Sequence, residues 1–203
     1  MVHIRNSRPQ NDSYARLMGC YLSLILLVVA GHLHQVEGFA AAVVTKARIP
    51  QDLPEIRTCR ATAFDNKPMD KLLESQQSFV NATSVVQGRT ECFVVRNSDD
   101  NTICGTADIK FQPSSQSVTI SNVFVTPESR GQGLAKLMLE AIEEEALARG
   151  ANRLTLQVYT NNVPAYTLYQ RSSFTTNGVH DGLAKLSKFT GFPLFVDMEK
   201  SLN

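Results

Sequence analysis

"TPESRGQGLAKLMLE" occupies residues 126–140, and its reading decides the fold. Gly131 and Gly133 stand one residue apart beside Arg130, and an apolar helical pattern begins immediately behind them. Glycine is a poor residue at a helix entrance unless the backbone itself must touch something. A helix start exposes unpaired N–H groups and the positive end of the helix dipole, an arrangement suited to anions and above all to phosphate. Glycines there let phosphate oxygens approach the backbone with no Cβ in the way, and the Arg130 guanidinium adds a charge-assisted bond. The turn therefore suits a pyrophosphate against Arg130, Gly131 and Gly133, and a bare turn without a ligand accounts for the two glycines equally often. It lacks the lysine and Ser/Thr of a Walker loop and the G-x-G-x-x-G spacing, which excludes nucleotide-fold readings.

Behind the glycines, Leu134, Leu137, Met138, Ala141 and Ile142 fall at helical spacing. Lys136, Glu140, Glu143, Glu144 and Arg149 take the opposite side, and Gly150 is a C-terminal stop. Ahead of the glycines, Val118–Val125 reads as a strand whose apolar phase slips. Val118 and Ile120 share a face, and the set resumes at Val123 and Val125. In a strand with one buried face such a slip predicts a β-bulge; a strand covered on both faces would show the same pattern without one. "RLTLQVY" (153–159) alternates Leu154, Leu156 and Val158, so strand, helix and strand form a right-handed βαβ unit with parallel strands.

Farther out, Cys92–Arg96 and Gly105–Gln112 are strands separated by the turn "NSDDN" (97–101), and "PSSQS" (113–117) leads into the next strand. Pro54–Ala61 is read as a first strand and Met69–Phe79 as a helix. Asn162 caps a later helix with Pro164 in its first turn, and Ala165, Leu168 and Tyr169 share a face of it. "FPLFVDMEK" (192–200) is the last strand. The fold class expected is α+β: a mixed, mostly antiparallel sheet with one βαβ unit and flanking helices.

The beginning of the chain is set apart. Arg5, Arg8 and Arg16 precede an uncharged run of 15 residues from Leu17 to Gly31, shorter than the roughly 20 that a spanning helix needs. Val36 and Gly38 are small residues at the −3 and −1 positions of a cleavage before Phe39, which predicts a signal peptide over 1–38. Residues 39–50, with Lys46 and Arg48 and no acid until Asp52, are read as a transit-like segment or linker, leaving 51–203 as the functional domain. The "GFAA" junction resembles the two-part targeting sequences of diatoms and related algae and implies a plastid destination. The secretory pathway and a membrane anchor at Leu17–Gly31 are the alternatives; on the first reading the membrane matters only for targeting.

Beyond residue 38 basic and acidic side chains balance, and no polybasic stripe supports nucleic acid as a partner. Cys59, Cys92 and Cys104 show no CxxC spacing, so neither a disulfide framework nor a zinc site is expected, and no metal.

Arg130, Gly133 and Ala135 fit R/Q-x-x-G-x-G/A, and the segment around them resembles the coenzyme A-binding motif of the GNAT superfamily of N-acetyltransferases. "NNVPAYTLYQRSSF" (161–174) resembles that family's N-x-x-A-x-x-L-Y-x-x-x-x-F segment through Asn162, Ala165, Leu168, Tyr169 and Phe174. The resemblance covers about residues 55–200 and implies an acyl-CoA N-acyltransferase fold with acetyl-CoA as cosubstrate. It implies that Val123, Phe124 and Val125 present backbone groups to pantetheine and the acetyl carbonyl. Arg130, Gly131, Gln132, Gly133, Leu134 and Ala135 would hold the pyrophosphate, Asn162 would reach the coenzyme, and Tyr169 would donate the proton to the leaving thiolate.

Ribosomal-protein-alanine-type members carry a glutamate in the fifth strand, five residues before the capping asparagine; here that position is Gln157, which cannot act as a base. Tyr159, Asp108, Glu91, His180 or a water chain are left for that role. The acceptor expected is a primary amine, a protein α-amino or lysine amine first and a small molecule second, on a monomer or homodimer. The competing function is an acyl-CoA-binding regulatory module without turnover.

Overall fold

The computed structural model describes residues 42–64, 67–176 and 194–202. The strands are β1 (Val43–Lys46), β2 (Glu91–Arg96), β3 (Ile103–Gln112), β4 (Ser117–Val125), β5 (Arg153–Tyr159), β6 (Thr175–Thr176) and β7 (Phe195–Ser201). They form one sheet in the order β1-β2-β3-β4-β5-β7-β6. Among the described strands every neighbouring pair is antiparallel except β4 and β5, which the βαβ connection makes parallel. The helices are α1 (Leu53–Ala61), α2 (Glu74–Val80), α3 (Thr83–Val86), α4 (Leu134–Ala148) and α5 (Val163–Arg171).

Alternation along the strands splits the apolar side chains between two cores. Phe93 and Val95 of β2 join Ile120, Leu154, Leu156 and Val158 under α4 and α5, where Leu137, Met138 and Ile142 are almost wholly buried. Cys92 and Val94 point the other way, to Ile56 and Cys59 of α1 and to Val85 of α3. The sheet is thus sandwiched over β2–β4, and α4 lies on the face opposite α1.

Two elements depart from the sequence reading. Pro54–Ala61, read as a strand, is helical: Ile56, Cys59 and Arg60 form its buried face at i, i+3 and i+4, with a proline in the first turn. The pattern is concealed because one buried member is an arginine. The helix expected over Met69–Phe79 is a short 3₁₀ turn at Met69–Lys71 followed by α2, and the break comes at Leu73, whose ψ of 153° is extended. Val43–Lys46, inside the stretch read as a transit-like segment or linker, pairs along its whole length with β2. The signal-peptide stretch, His180 and most of the loop following Thr175 lie outside the described residues. Among the described residues no helix is long and apolar enough to cross a membrane.

Candidate active site

The site begins where two parallel strands stop pairing. β4 and β5 are in register from Ser117↔Arg153 to Ile120↔Leu156 and no farther. Beyond that point β5 keeps β7 as its partner through Tyr159↔Phe195, while β4 keeps β3 through Val125↔Gly105. The two strands therefore part, and residues 121–125 border a cleft instead of a neighbour. Within that stretch Thr106↔Phe124 and Asp108↔Ser121 set two steps on β3 against three on β4. This is the bulge that the apolar phase slip predicts, and Asn122 carries it with a left-handed φ of 53°.

The glycine turn closes one end of the cleft. Gly131 and Gly133 have φ of 78° and 77°, and a Cβ at either would meet nothing within 4 Å among the described residues. The glycines are there for conformation and open approach, not for close packing. Gly133 is the N-cap of α4 but supplies no side-chain acceptor, and the first turn contains no acidic residue. The positive end of a 15-residue helix is therefore neither capped nor neutralised by its own side chains. Arg130 is fixed beside it: its Nε donates to the Val125 carbonyl at 3.1 Å, and its guanidinium lies 5.8 Å from the Phe124 ring centre.

A cavity of about 540 Å³ collects these groups with Asn162, Pro164, Ala165, Leu168 and Tyr169 of α5 and its cap. Every expected site residue lines it except Gln132. Asn162 caps α5, its Oδ1 accepting from the Ala165 N–H at 3.4 Å. Tyr169 is 6% exposed, edge-on to Phe174 with ring centres 5.9 Å apart. Burial pushes its phenol from 10.0 up to about 12, so it keeps its proton at neutral pH. Lys136, assigned from the sequence to the solvent side of its helix, also lines the cavity, with Nζ 3.4 Å from Glu140.

The profile of the acetyltransferase (GNAT) family matches residues 52–174. The chain belongs to the GNAT acetyltransferase family. Over 84 residues this GNAT protein is 31% identical to a streptothricin acetyltransferase of Streptomyces lavendulae, a match covering 41% of this chain and less than half, 44%, of that relative. It is 27% identical over 140 residues to a streptothricin acetyltransferase of Escherichia coli, covering 64% of this chain and 80% of the relative. The crystal structure of the ribosomal-protein-S18-alanine N-acetyltransferase from Escherichia coli superposes with a TM-score of 0.59 at 19% identity, over 80% of this chain and 94% of that one. At that identity the likeness is one of fold.

A second cavity, of about 690 Å³, opens on the sheet face opposite α4. Thr119, Thr155, Gln157, Asp197 and Glu199 line it, alternating along their strands with the buried Ile120, Leu156 and Met198. Gln157 Nε2 donates to Asp197 Oδ1 at 2.7 Å, and Glu199 lies 3.6 Å from Arg153. Sequence reasoning missed both carboxylates. The strand "FPLFVDMEK" contains them, but nothing local says that Asp197 faces Gln157; strand pairing does.

Two of the residues left for the base are committed elsewhere. Asp108 is wholly buried, its oxygens taken by Arg60 and Asn122. Glu91 is bound to Arg149 through two contacts of 2.6 Å. Arg149 sits beyond the far end of α4, about 24 Å from Gly133 by helix rise alone. Tyr159 is half exposed and stacks on Phe195, ring centres 3.6 Å apart.

Proposed function

We propose that this protein is an acetyl-CoA-dependent N-acetyltransferase acting on a primary amine by direct attack on the thioester. One observation carries the reading: where β4 and β5 part, residues 123–125, just past the bulge at Asn122, line one cavity together with the uncapped glycine turn. Backbone N–H groups over residues 131–135, with Arg130 and Asn162, hold the coenzyme, and its diphosphate meets the positive helix end. The backbone of residues 123–125, unpaired on the cleft side, lies along pantetheine and directs an N–H to the oxygen on which charge develops.

The amine nitrogen attacks the acetyl carbonyl; a C–N bond forms, the C–S bond breaks, and the proton lost from nitrogen ends on sulfur. A phenol held near 12 is a weaker acid than an alkyl thiol at about 8.5. Tyr169 therefore stabilises the departing thiolate by donating a hydrogen bond and passes on a proton only as another replaces it. The incoming amine must first lose its ammonium proton. Gln157 cannot accept it, and Asp197, hydrogen-bonded to that glutamine from the next strand, supplies the carboxylate the position lacks.

The acceptor is a protein α-amino or lysine amine on the first reading. A second reading, a small-molecule amine, is favoured by the two streptothricin acetyltransferase relatives and by a second cavity whose described lining includes the acids Asp197 and Glu199. We propose the plastid as its location on the N-terminal sequence alone, and a monomer or homodimer as its state; a mature chain that still begins at Met1 would refute the cleavage.

Tyr169→Phe is the test. Turnover should fall about a hundredfold, with acetyl-CoA affinity within a factor of two of the parent. Retained coenzyme binding, with no transfer by parent or variant across α-amino, lysine and polyamine acceptors, would establish the regulatory acyl-CoA-binding module instead.

A further inference from the structure

Arg60 of α1 is 0% exposed, and so are Thr106 and Asp108 of β3. A buried guanidinium is expensive unless all its donors are used, and a buried ion pair is often no more stabilising than apolar packing of the same volume. Here the donors are used in a particular way. Arg60 Nε donates to Thr106 Oγ1 at 3.1 Å and Nη2 to Asp108 Oδ1 at 2.5 Å. These are the two β3 residues on either side of the register break. Nη1 donates to the Phe79 carbonyl at 3.1 Å, and the Phe79 ring lies 5.0 Å from the guanidinium. The second Asp108 oxygen accepts from Asn122 Nδ2 at 2.8 Å, and Asn122 is the left-handed residue of the bulge.

We infer that Arg60, Asp108 and Asn122 form a positioning relay that fixes the β4 bulge, and through it the aim of the backbone at residues 123–125. The inference rests on the proposed acetyl transfer for its functional half. Its structural half stands on the contacts alone. A bulge leaves its extra residue unpaired in the ladder, so its direction is set by whatever holds that residue's side chain. In this chain the holder is a carboxylate that is itself pinned from behind by an arginine donating to both sides of the break. The relay touches neither the glycine turn nor Tyr169, and its members are positioning residues. Asp108 thus serves the site without being its base.

Arg60 and Asp108 variants would leave a buried charge unpaired and risk unfolding, so the test falls on Asn122. Asn122→Gly keeps the left-handed backbone and removes the tether; Asn122→Asp keeps the size and sets a carboxylate against Asp108. Two measurements are made on the full chain. The first is amide hydrogen exchange over residues 119–126, read without any substrate: the relay predicts at least tenfold faster exchange there in both variants, with exchange over α4 unchanged. Parent-like exchange at the bulge overturns the relay whether or not the protein is an enzyme. The second is turnover with acetyl-CoA and either a lysine-bearing peptide or spermidine. Both variants should lose at least tenfold in kcat, with coenzyme A affinity within twofold. A change confined to KM for the amine would make Asn122 an acceptor contact and overturn the positioning role. Faster exchange at the bulge in a protein whose parent transfers no acetyl group would refute the proposed activity and leave the structural half of the relay standing.

Discussion

The two ends of α4 are built oppositely. At its C-terminus the carbonyls of Glu145, Ala146 and Leu147 all accept backbone N–H groups from beyond the helix. Gly150, at φ 73°, closes the end with its N–H on the Leu147 carbonyl, and the Ala151 N–H reaches Ala146, both at 2.9 Å. Arg149 lies on the negative end of the dipole and joins Glu91 and Glu145 at 2.6 Å each, and Lys46 of the edge strand also binds Glu145. At the N-terminus there is no side-chain cap, no acid and open space beyond two left-handed glycines. Among the described residues, one end is finished by the protein's own groups and the other is not. The difference teaches where to look for function: at the helix end whose requirements the fold declines to meet.

This contrast can be broken most severely at Gly133. Gly133→Asp adds a Cβ at positive φ and a carboxylate at the proposed site of the coenzyme's phosphates, so acetyl-CoA affinity should weaken at least about a hundredfold by calorimetric titration. Unchanged affinity would mean that the bare end is not the binding end. A smaller effect is expected from Lys136→Glu, on the cavity side of the first turn. Affinity should fall about three- to tenfold, and the loss should shrink as salt is raised, because exposed charges are screened.

At the other end Arg149→Ala should behave in reverse. The pairs are partly exposed, so the loss is about 1 kcal/mol, read as a fall of about 2–4 °C in Tm, with coenzyme affinity unaltered. The smallest effect is that mutation's pH dependence. Arg149's hydrogen bonds hold the Glu91 carboxyl below its ordinary 4.5. For Glu145 burial pushes upward, but Lys46 and Arg149 outweigh it and the net direction is again down. Carboxyls depressed on folding stabilise above their unfolded value and lose that contribution as pH falls through the folded one. The stability gap between parent and Arg149→Ala should therefore be full at neutral pH and close as pH falls below the ordinary carboxyl value of 4.5 in denaturant titrations; a gap that widens in acid contradicts the role of these pairs.

Much of this was legible in the sequence wherever the signal was local. The glycine turn, the amphipathic run of α4, the stop at Gly150, the cap at Asn162 and the alternation of β5 each depend on residues within a few positions of one another. The phase slip in β4 belongs with them, because a two-residue period reports its own interruption. The strand expected over Pro54–Ala61 failed for a reason visible in one residue. Arg60 breaks the apolar pattern of α1 because its burial is compensated by partners 46 and 48 residues away, which no helical period can show.

The chain by itself determined the left-handed glycine turn, the βαβ unit and the identity of the residues around the cleft, since backbone conformation and side-chain periodicity are short-range properties. Only the tertiary structure decided that Asp197 stands beside Gln157, 40 residues away, and that Asp108 braces the bulge instead of facing the cleft. Those choices are made by strand register and by which buried charges find each other, and both are settled when the sheet closes.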